Sequence, residues 1–318
     1  MNRNGIEFAF SWIFAIIAGA VILVSAVYIT TKLVGTERKT QDSFIASELT
    51  SILNPIETNL EDSKYVKIDF VDETRIFNEC KNEGVFGKQQ ISTSTKLGIG
   101  NDWGEQSARR SSFNKYVFSD DIIETSNKKL HAIVKPFFTP FKVGDLTILY
   151  GKNYCFVNPE DNVKELIEDL SGGGRNNIGL NLTSDPEDCS IDSEIVCFSN
   201  QIGCDIYVDS RNNLVRKNER ESYFYDIELE MAAIFSDHEV YECQLKRLIR
   251  RAGELAVVYS KKAGYIEGSG CSNSLQNDLN EFVLSANINN SEEYMQYILP
   301  LSVELKEKND DLSKCKIF

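Results

Sequence analysis

The longest uninterrupted apolar run lies between Phe8 and Ile29, FAFSWIFAIIAGAVILVSAVYI, and holds no charged residue. A helix rises about 1.5 Å per residue, so about 20 apolar residues cross the hydrocarbon core of a bilayer. Trp12 and Tyr28 stand near its two ends, where interfacial aromatics belong. The pattern predicts a tail and transmembrane helix over residues 1–35, meeting the lipid bilayer through residues 8–29. A cleaved signal peptide is the alternative, with the small residues Val24-Ser25-Ala26 as its site. Against it, the apolar run continues through Val27, Tyr28 and Ile29. Next, Phe44, Ile45, Leu49, Ile52 and Leu53 recur at helical spacing until Pro55. They predict a stalk helix within residues 36–60, its apolar stripe docking on the remaining domain or on a neighbouring subunit.

Residues 61–224 alternate in the manner of strands. Tyr65, Val66, Ile68 and Phe70 are followed by a polar break at Asp72-Glu73, then by Ile76 and Phe77. Residues 81–114 are polar and rich in Gly, Ser, Thr and Asn, and they read as a long surface loop. Short apolar segments resume with KYVFS, KLHAIVKPFFTPF, VGDLTILY and NYCFV, with Pro136 and Pro140 favouring edge or bent positions. His131, inside one such segment, reads as a packed or surface residue. Asn158-Pro159-Glu160-Asp161 predicts a helix start with Asn as cap, and Gly172-Gly173-Gly174 its stop. NIGLNL, EIVCF, CDIYV and NLVRK predict further strands.

The period changes near residue 225. Asp226 to Phe235 reads as a helix. Ser236 and Glu239 suggest a capping box before a long helix, whose stripe is Tyr241, Leu245, Leu248, Ala252, Leu255, Tyr259 and Ala263. A third helix over Leu275–Ser285 and a fourth from Asn290, capped with Glu293, complete an antiparallel bundle over residues 225–318. The expected fold is α+β: an anchor and stalk, a disulfide-pinned β-rich region, and a C-terminal helical bundle.

Charge changes the picture of partners. The formal net charge is −14, which argues against a nucleic-acid partner. Arg3 precedes the apolar run and Lys32, Arg38 and Lys39 follow it, so the positive-inside rule places the large domain in the cytoplasm. The cysteines argue the opposite. All eight, Cys80, Cys155, Cys189, Cys197, Cys204, Cys243, Cys271 and Cys315, follow the run, and no zinc-site spacing occurs among them. They read as disulfides of an oxidising compartment, placing residues 40–318 outside the cell membrane. The order of the helices predicts a Cys271–Cys315 pair, and Cys243 is expected to bond into the β region. A reactive Cys243 thiol beside Lys246 and Arg247 is the sharper alternative. Asn181 and Asn289 begin glycosylation sequons.

Candidate chemistry is sparse. The cluster Lys246, Arg247, Arg250 and Arg251 suits either an acidic partner or pairing with the protein's own acids. Asp120-Asp121 and Glu292-Glu293 read as solvated charges. His238-Glu239 lacks the second histidine of a zinc protease motif, and no nucleophile elbow, phosphate loop or kinase set occurs. No metal site and no cofactor are expected. The opening MNRNGIEFAFSWIFAIIAGAVIL resembles the N-terminal segment of archaeal type IV pilin-like proteins, in which a short basic stretch ending in Gly precedes an anchoring and assembling helix. Arg3 and Gly5 fit that pattern, whereas Glu7 stands nearer the glycine than the pilin glutamate does. Processing at Gly5 or at Ala26 therefore stays open. PFFTPFKVGDL, YCFVN, AAIFSDHEVYECQLKRLIRRAGELA and the terminal CKIF resemble uncharacterised single-pass membrane-anchored proteins of small-genome (DPANN) archaea. The expectation is a non-enzymatic, adhesin-like or pilin-like surface protein that self-assembles or binds envelope partners. The alternatives are an extracytoplasmic enzyme or thiol-redox protein, using Cys243 or a carboxylate pair, and an accessory subunit of a secretion or filament machine.

Overall fold

The computed structural model describes residues 12–30, 45–47, 49, 64–96, 102–172, 177–199, 202–268, 275–312 and 315–318. Arg3, Gly5, Glu7, Lys32, Arg38, Lys39, Cys271 and most of the expected stalk lie outside the described residues. Helix α1, Trp12–Thr30, keeps its apolar side chains outward, with no part of its most apolar window buried. Its length and composition suit a membrane anchor or a signal segment. Of the stalk, residues 45–47 and 49 are helical. Ala46 and Leu49 are buried, and Leu49 packs with Ile76, Ile91 and Leu130.

Three sheets follow. The strands are β1 (Lys64–Asp69), β2 (Thr74–Lys81), β3 (Lys88–Thr95), β4 (Arg110–Ser112), β5 (Tyr116–Phe118), β6 (Ile122–Glu124), β7 (Lys129–Phe138), β8 (Lys142–Tyr150) and β9 (Asn153–Val157). Helix α2, Asp161–Leu170, leads to β10 (Leu180–Thr183), β11 (Ser193–Cys197), β12 (Ile206–Asp209), β13 (Leu214–Lys217) and β14 (Arg220–Tyr223). The first sheet runs β1-β7-β8-β5, the second β4-β3-β2-β6, and the third β10-β9-β11-β12-β13-β14. The first sheet is buried on both faces. Its alternation sends Tyr116, Phe118, Ile133, Leu146, Ile148 and Tyr150 toward the helices. Val117, Leu130, Ala132, Val134 and Leu149 pack toward the second sheet. This double burial is why KLHAIVKPFF reads as one continuous apolar run. Pro136 lies beyond Val134, the last residue of β7 that β1 reaches, so on that side β7 is an unpaired edge where proline is tolerated.

The C-terminal helices are α3 (Ile227–Phe235), α4 (His238–Gly268), α5 (Leu275–Ser285), α6 (Ser291–Glu293) and α7 (Leu299–Asp311), with a π-helical turn at Tyr294–Ile298. The expected stripe holds: Tyr241, Leu245, Leu248, Ala252 and Ala263 are buried, while Leu255 and Tyr259 pack against the same core. Helices α4, α5 and α7 pack in succession, but α3 and α4 also lie against strands of all three sheets. One core cluster runs through the helices and the first and third sheets. The described residues of 225–318 are thus mostly helical, and they share their core with the sheets.

Four local expectations are corrected. Residues 81–114 hold β3 and β4 rather than one long loop. Asn158 does not cap α2. It adopts φ 50° and its amide donates to Ser184 O, leaving Glu160 at the cap. Ser236 does not form a capping box, because its hydroxyl is buried with no hydrogen-bond partner among the described residues. Strand β14 pairs with β13 through Asn218-Glu219, both at positive φ, a two-residue hairpin turn that the pattern had not marked. At the second expected box the cap itself forms, with Asn290 Oδ1 accepting from Glu293 N at 2.9 Å, while the Glu293 carboxylate accepts from Asn289 N at 2.7 Å.

Candidate functional site

A groove of about 820 Å3 opens along the second sheet. It begins with strand alternation. Thr74, Ile76 and Asn78 of β2 point inward, which puts Arg75 on the outer face. Directly across the ladder stands Glu124 of β6. Arg75 Nε donates to Glu124 Oε1 at 2.7 Å, and Nη2 approaches the same oxygen at 2.5 Å. The guanidinium lies 4.1 Å from the centre of the Trp103 indole, a cation–π stack.

Trp103 is held there by its own loop. It bridges to Lys96, Gly104 N donates to Thr95 O at 2.9 Å, and Ser107 N donates to Thr93 O at 2.8 Å. Ser94 Oγ donates to Gly104 O at 2.6 Å. Lys96 Nζ lies 2.6 Å from Glu73 Oε2 and 6.0 Å from the indole centre. At the far end, Lys152 Nζ lies 2.6 Å from Glu194 Oε1 and 3.1 Å from Asp120 Oδ2. Burial opposes the Lys152 charge, but these two carboxylates outweigh it and raise its pKa above the usual lysine value. The neighbour of Lys152 sets how closely the walls meet. A Cβ on Gly151 would stand 2.1 Å from Glu124 O, so only glycine lets β6 lie against the β8–β9 connection.

The lining therefore holds three carboxylates, Glu73, Glu124 and Asp192, and three cations, Arg75, Lys96 and Lys152, around Trp103, Ile122 and Thr125. Behind it, Asp120 is not a solvated charge, as the sequence suggested. It lies 2.6 Å from Lys217 Nζ, within a cluster that includes Asp237. Burial would raise the Asp120 pKa, but Lys217 and Lys152 hold it below the usual carboxylate range.

Other notable groups lie elsewhere. His131 is stacked between Tyr65 and Tyr150, with Tyr65 Oη 2.8 Å from its Nδ1, and burial lowers its pKa to about 4. It is a packed, neutral imidazole. On α3, Glu230 is 2% exposed and its Oε1 has no hydrogen-bond partner among the described residues. Burial, with Glu160 and Asp226 nearby, raises the Glu230 pKa to about 7. Asp226, raised likewise to about 7 by burial and Glu228, caps α3 by accepting from Leu229 N at 2.8 Å.

The residues singled out by sequence fall in several places. Cys80 pairs with Cys243, Cys155 with Cys189, and Cys197 with Cys204. The first pair ties β2 to α4, so Cys243 does reach the β region and is not a thiol. Cys315 is disulfide-bonded, and Cys271, its expected partner, lies outside the described residues. Among the basic residues, Arg247 is fully buried. It donates to the carbonyls of Phe86, Phe113 and Lys115 and to Gln244 Oε1. Arg250 donates to Asn82 and Arg251 to Val143 O. These three cations meet backbone carbonyls and amides rather than acids. Lys246 is half-buried, with Glu242 and Glu293 in electrostatic reach. Asn181 is exposed on the edge strand β10. Asn289 is also exposed, but its amide donates to Glu293 at 3.0 and 3.1 Å and is engaged at the start of α6.

The groove residues were missed by sequence reasoning. The available signal was Trp103 itself, a large aromatic in a stretch otherwise polar. No family model, no curated protein and no solved structure matches the chain.

Proposed function

We propose that this protein is a membrane-anchored, extracytoplasmic envelope protein with a non-enzymatic role in binding or assembling with envelope partners, in the manner of an adhesin or pilin. One observation carries the reading. An outward-facing apolar helix is joined to a domain in which every described cysteine is disulfide-bonded. Disulfides persist in oxidising compartments, and the anchor tethers the domain to the membrane that bounds one. The binding role is supported by the groove, where Glu73 and Glu124 face Lys96 and Arg75 in ion pairs. Acids arranged this way recognise a ligand more readily than they move a proton.

Alkylation of intact cells with a membrane-impermeant maleimide tests the placement, followed by intact-mass measurement with and without prior reduction. The expected result is no alkylation before reduction and eight alkylated cysteines after it. Eight thiols that react only after the cells are lysed, with no reductant, would put the domain in the cytoplasm and end the reading. The same spectra report whether the first five residues have been removed.

A further inference from the structure

We propose that the Trp103 groove binds a neutral saccharide, a short segment of envelope glycan. The ligand class rests on the extracytoplasmic reading above, and the groove's own chemistry selects it in three steps.

The first is charge. A chain of net charge −14 lines this groove with equal numbers of acids and bases. Glu73 faces Lys96, and Glu124 faces Arg75. An ionic ligand would meet a like charge beside the opposite one in each of these pairs. A neutral one leaves them intact.

The second is hydrogen bonding. A carboxylate offers about four acceptor sites and a guanidinium five donors, so one ion pair leaves capacity on both partners. Donors and acceptors then lie side by side at fixed spacing. Vicinal hydroxyls, each a donor and an acceptor, match such a surface. A hydrocarbon ligand would bury these groups uncompensated.

The third is the apolar plate. Trp103 belongs to neither core among the described residues, yet the residues that follow it are tied to β3 by the bonds from Gly104, Ser107 and Ser94. The half-buried Trp103 indole and the exposed Ile122 both line the groove, and an indole supplies a flat apolar plate of the kind that the C–H face of a pyranose covers. The plate is in place before the ligand arrives, which limits the ordering cost of binding. An extended peptide added as a further strand is disfavoured, because the Gly151 backbone already packs on β6 at Glu124 O.

The chain contains two tryptophans, Trp12 and Trp103, so Trp12→Phe leaves one indole to report on the groove. The full-length W12F protein in detergent is titrated with cellotriose, maltotriose and triacetylchitotriose, and separately with trigalacturonate and chitotriose as anionic and cationic counterparts. The expected result is a saturable change in Trp103 emission with at least one neutral trisaccharide, and at least tenfold weaker binding of both charged ones. Saturation-transfer NMR then follows the same sugar on variants. Trp103→Ala and Glu124→Gln should each weaken binding at least tenfold. Trp103→Phe, which keeps an aromatic plate, should retain most of it, and Arg216→Ala, remote from the groove, all of it. No response to any neutral trisaccharide, preference for a charged one, or binding indifferent to Trp103→Ala would overturn the proposal. The titration is blind to membrane orientation and the maleimide experiment is blind to the groove, so failure of one inference is distinguishable from failure of the other.

Discussion

Arg247 is fully buried, and its hydrogen bonds go to three backbone carbonyls and one amide. Burial lowers its pKa to about 10, so it stays charged at neutral pH. Its guanidinium lies over the Tyr116 ring at 4.9 Å. Gly87 lets the β2–β3 turn come this close, because a Cβ there would sit 3.0 Å from the Arg247 side chain and nearer still to Lys81 O. Removing the guanidinium strands several buried acceptors at once. Arg247→Met is expected to cost about 3–5 kcal/mol in denaturant unfolding, as loss of one partner in a buried charged network does. Arg247→Lys should recover little, since an ammonium cannot span the same fork of acceptors. Arg251→Ala, which forfeits one bond to Val143 O, should cost about 1 kcal/mol. A cost for Arg247→Met no larger than that for Arg251→Ala would show the clamp to be incidental.

At the scale of elements, α3 carries a titration of predictable sign. Asp226 and Glu230 titrate near 7 when folded and near 4 when unfolded. Between those values the folded chain holds protons that the unfolded chain has released, so these groups lower stability as pH rises from about 4 to about 7. His131 works in the opposite direction. Its folded pKa of about 4 lies below the free value, so its contribution is lost as pH falls from about 6.5 to about 4. The double variant Asp226→Asn, Glu230→Gln keeps the helix cap and should shift the slope of unfolding free energy against pH in the positive direction in that window. It should also be more stable than the parent above pH 7. An unchanged slope would remove both carboxylates from the account. The same scale shows what could be read in advance. The α4 stripe and the Asn290–Glu293 cap were legible because helix periodicity and capping act over a few neighbouring residues. Strand β3 was not. Its KQQISTST buries Gln89, Ser92, Thr93 and Ser94. Gln89 bonds to Asn78 and Gln244, and Gln244 Nε2 donates to Val117 O at 3.0 Å. A strand buried through hydrogen bonds has no apolar alternation to betray it.

For the whole molecule, the disulfides should rank by the loops they close. Cys80–Cys243 spans 163 residues and Cys197–Cys204 spans 7. The chain-entropy model gives about 5 kcal/mol for the longer loop and about 2 kcal/mol for the shorter. Paired Cys→Ser variants, unfolded in urea under identical conditions, should follow that order, and equal losses would contradict it. Long-range closure also explains why the groove was illegible. Its walls come from Glu73, Arg75, Lys96, Trp103, Ile122, Glu124, Thr125, Lys152 and Asp192, which strand pairing brings together from distant parts of the chain. The Cys80–Cys243 link has a further consequence for how the protein is made. Synthesis runs from the N-terminus at about 5–20 residues per second. Cys80 thus emerges many seconds before its partner and meets Cys155 first. Unless Cys80 is kept reduced or the wrong bond is reopened by exchange, oxidation during emergence traps the chain. Its biogenesis therefore calls for a thiol-exchange catalyst wherever the nascent chain is oxidised.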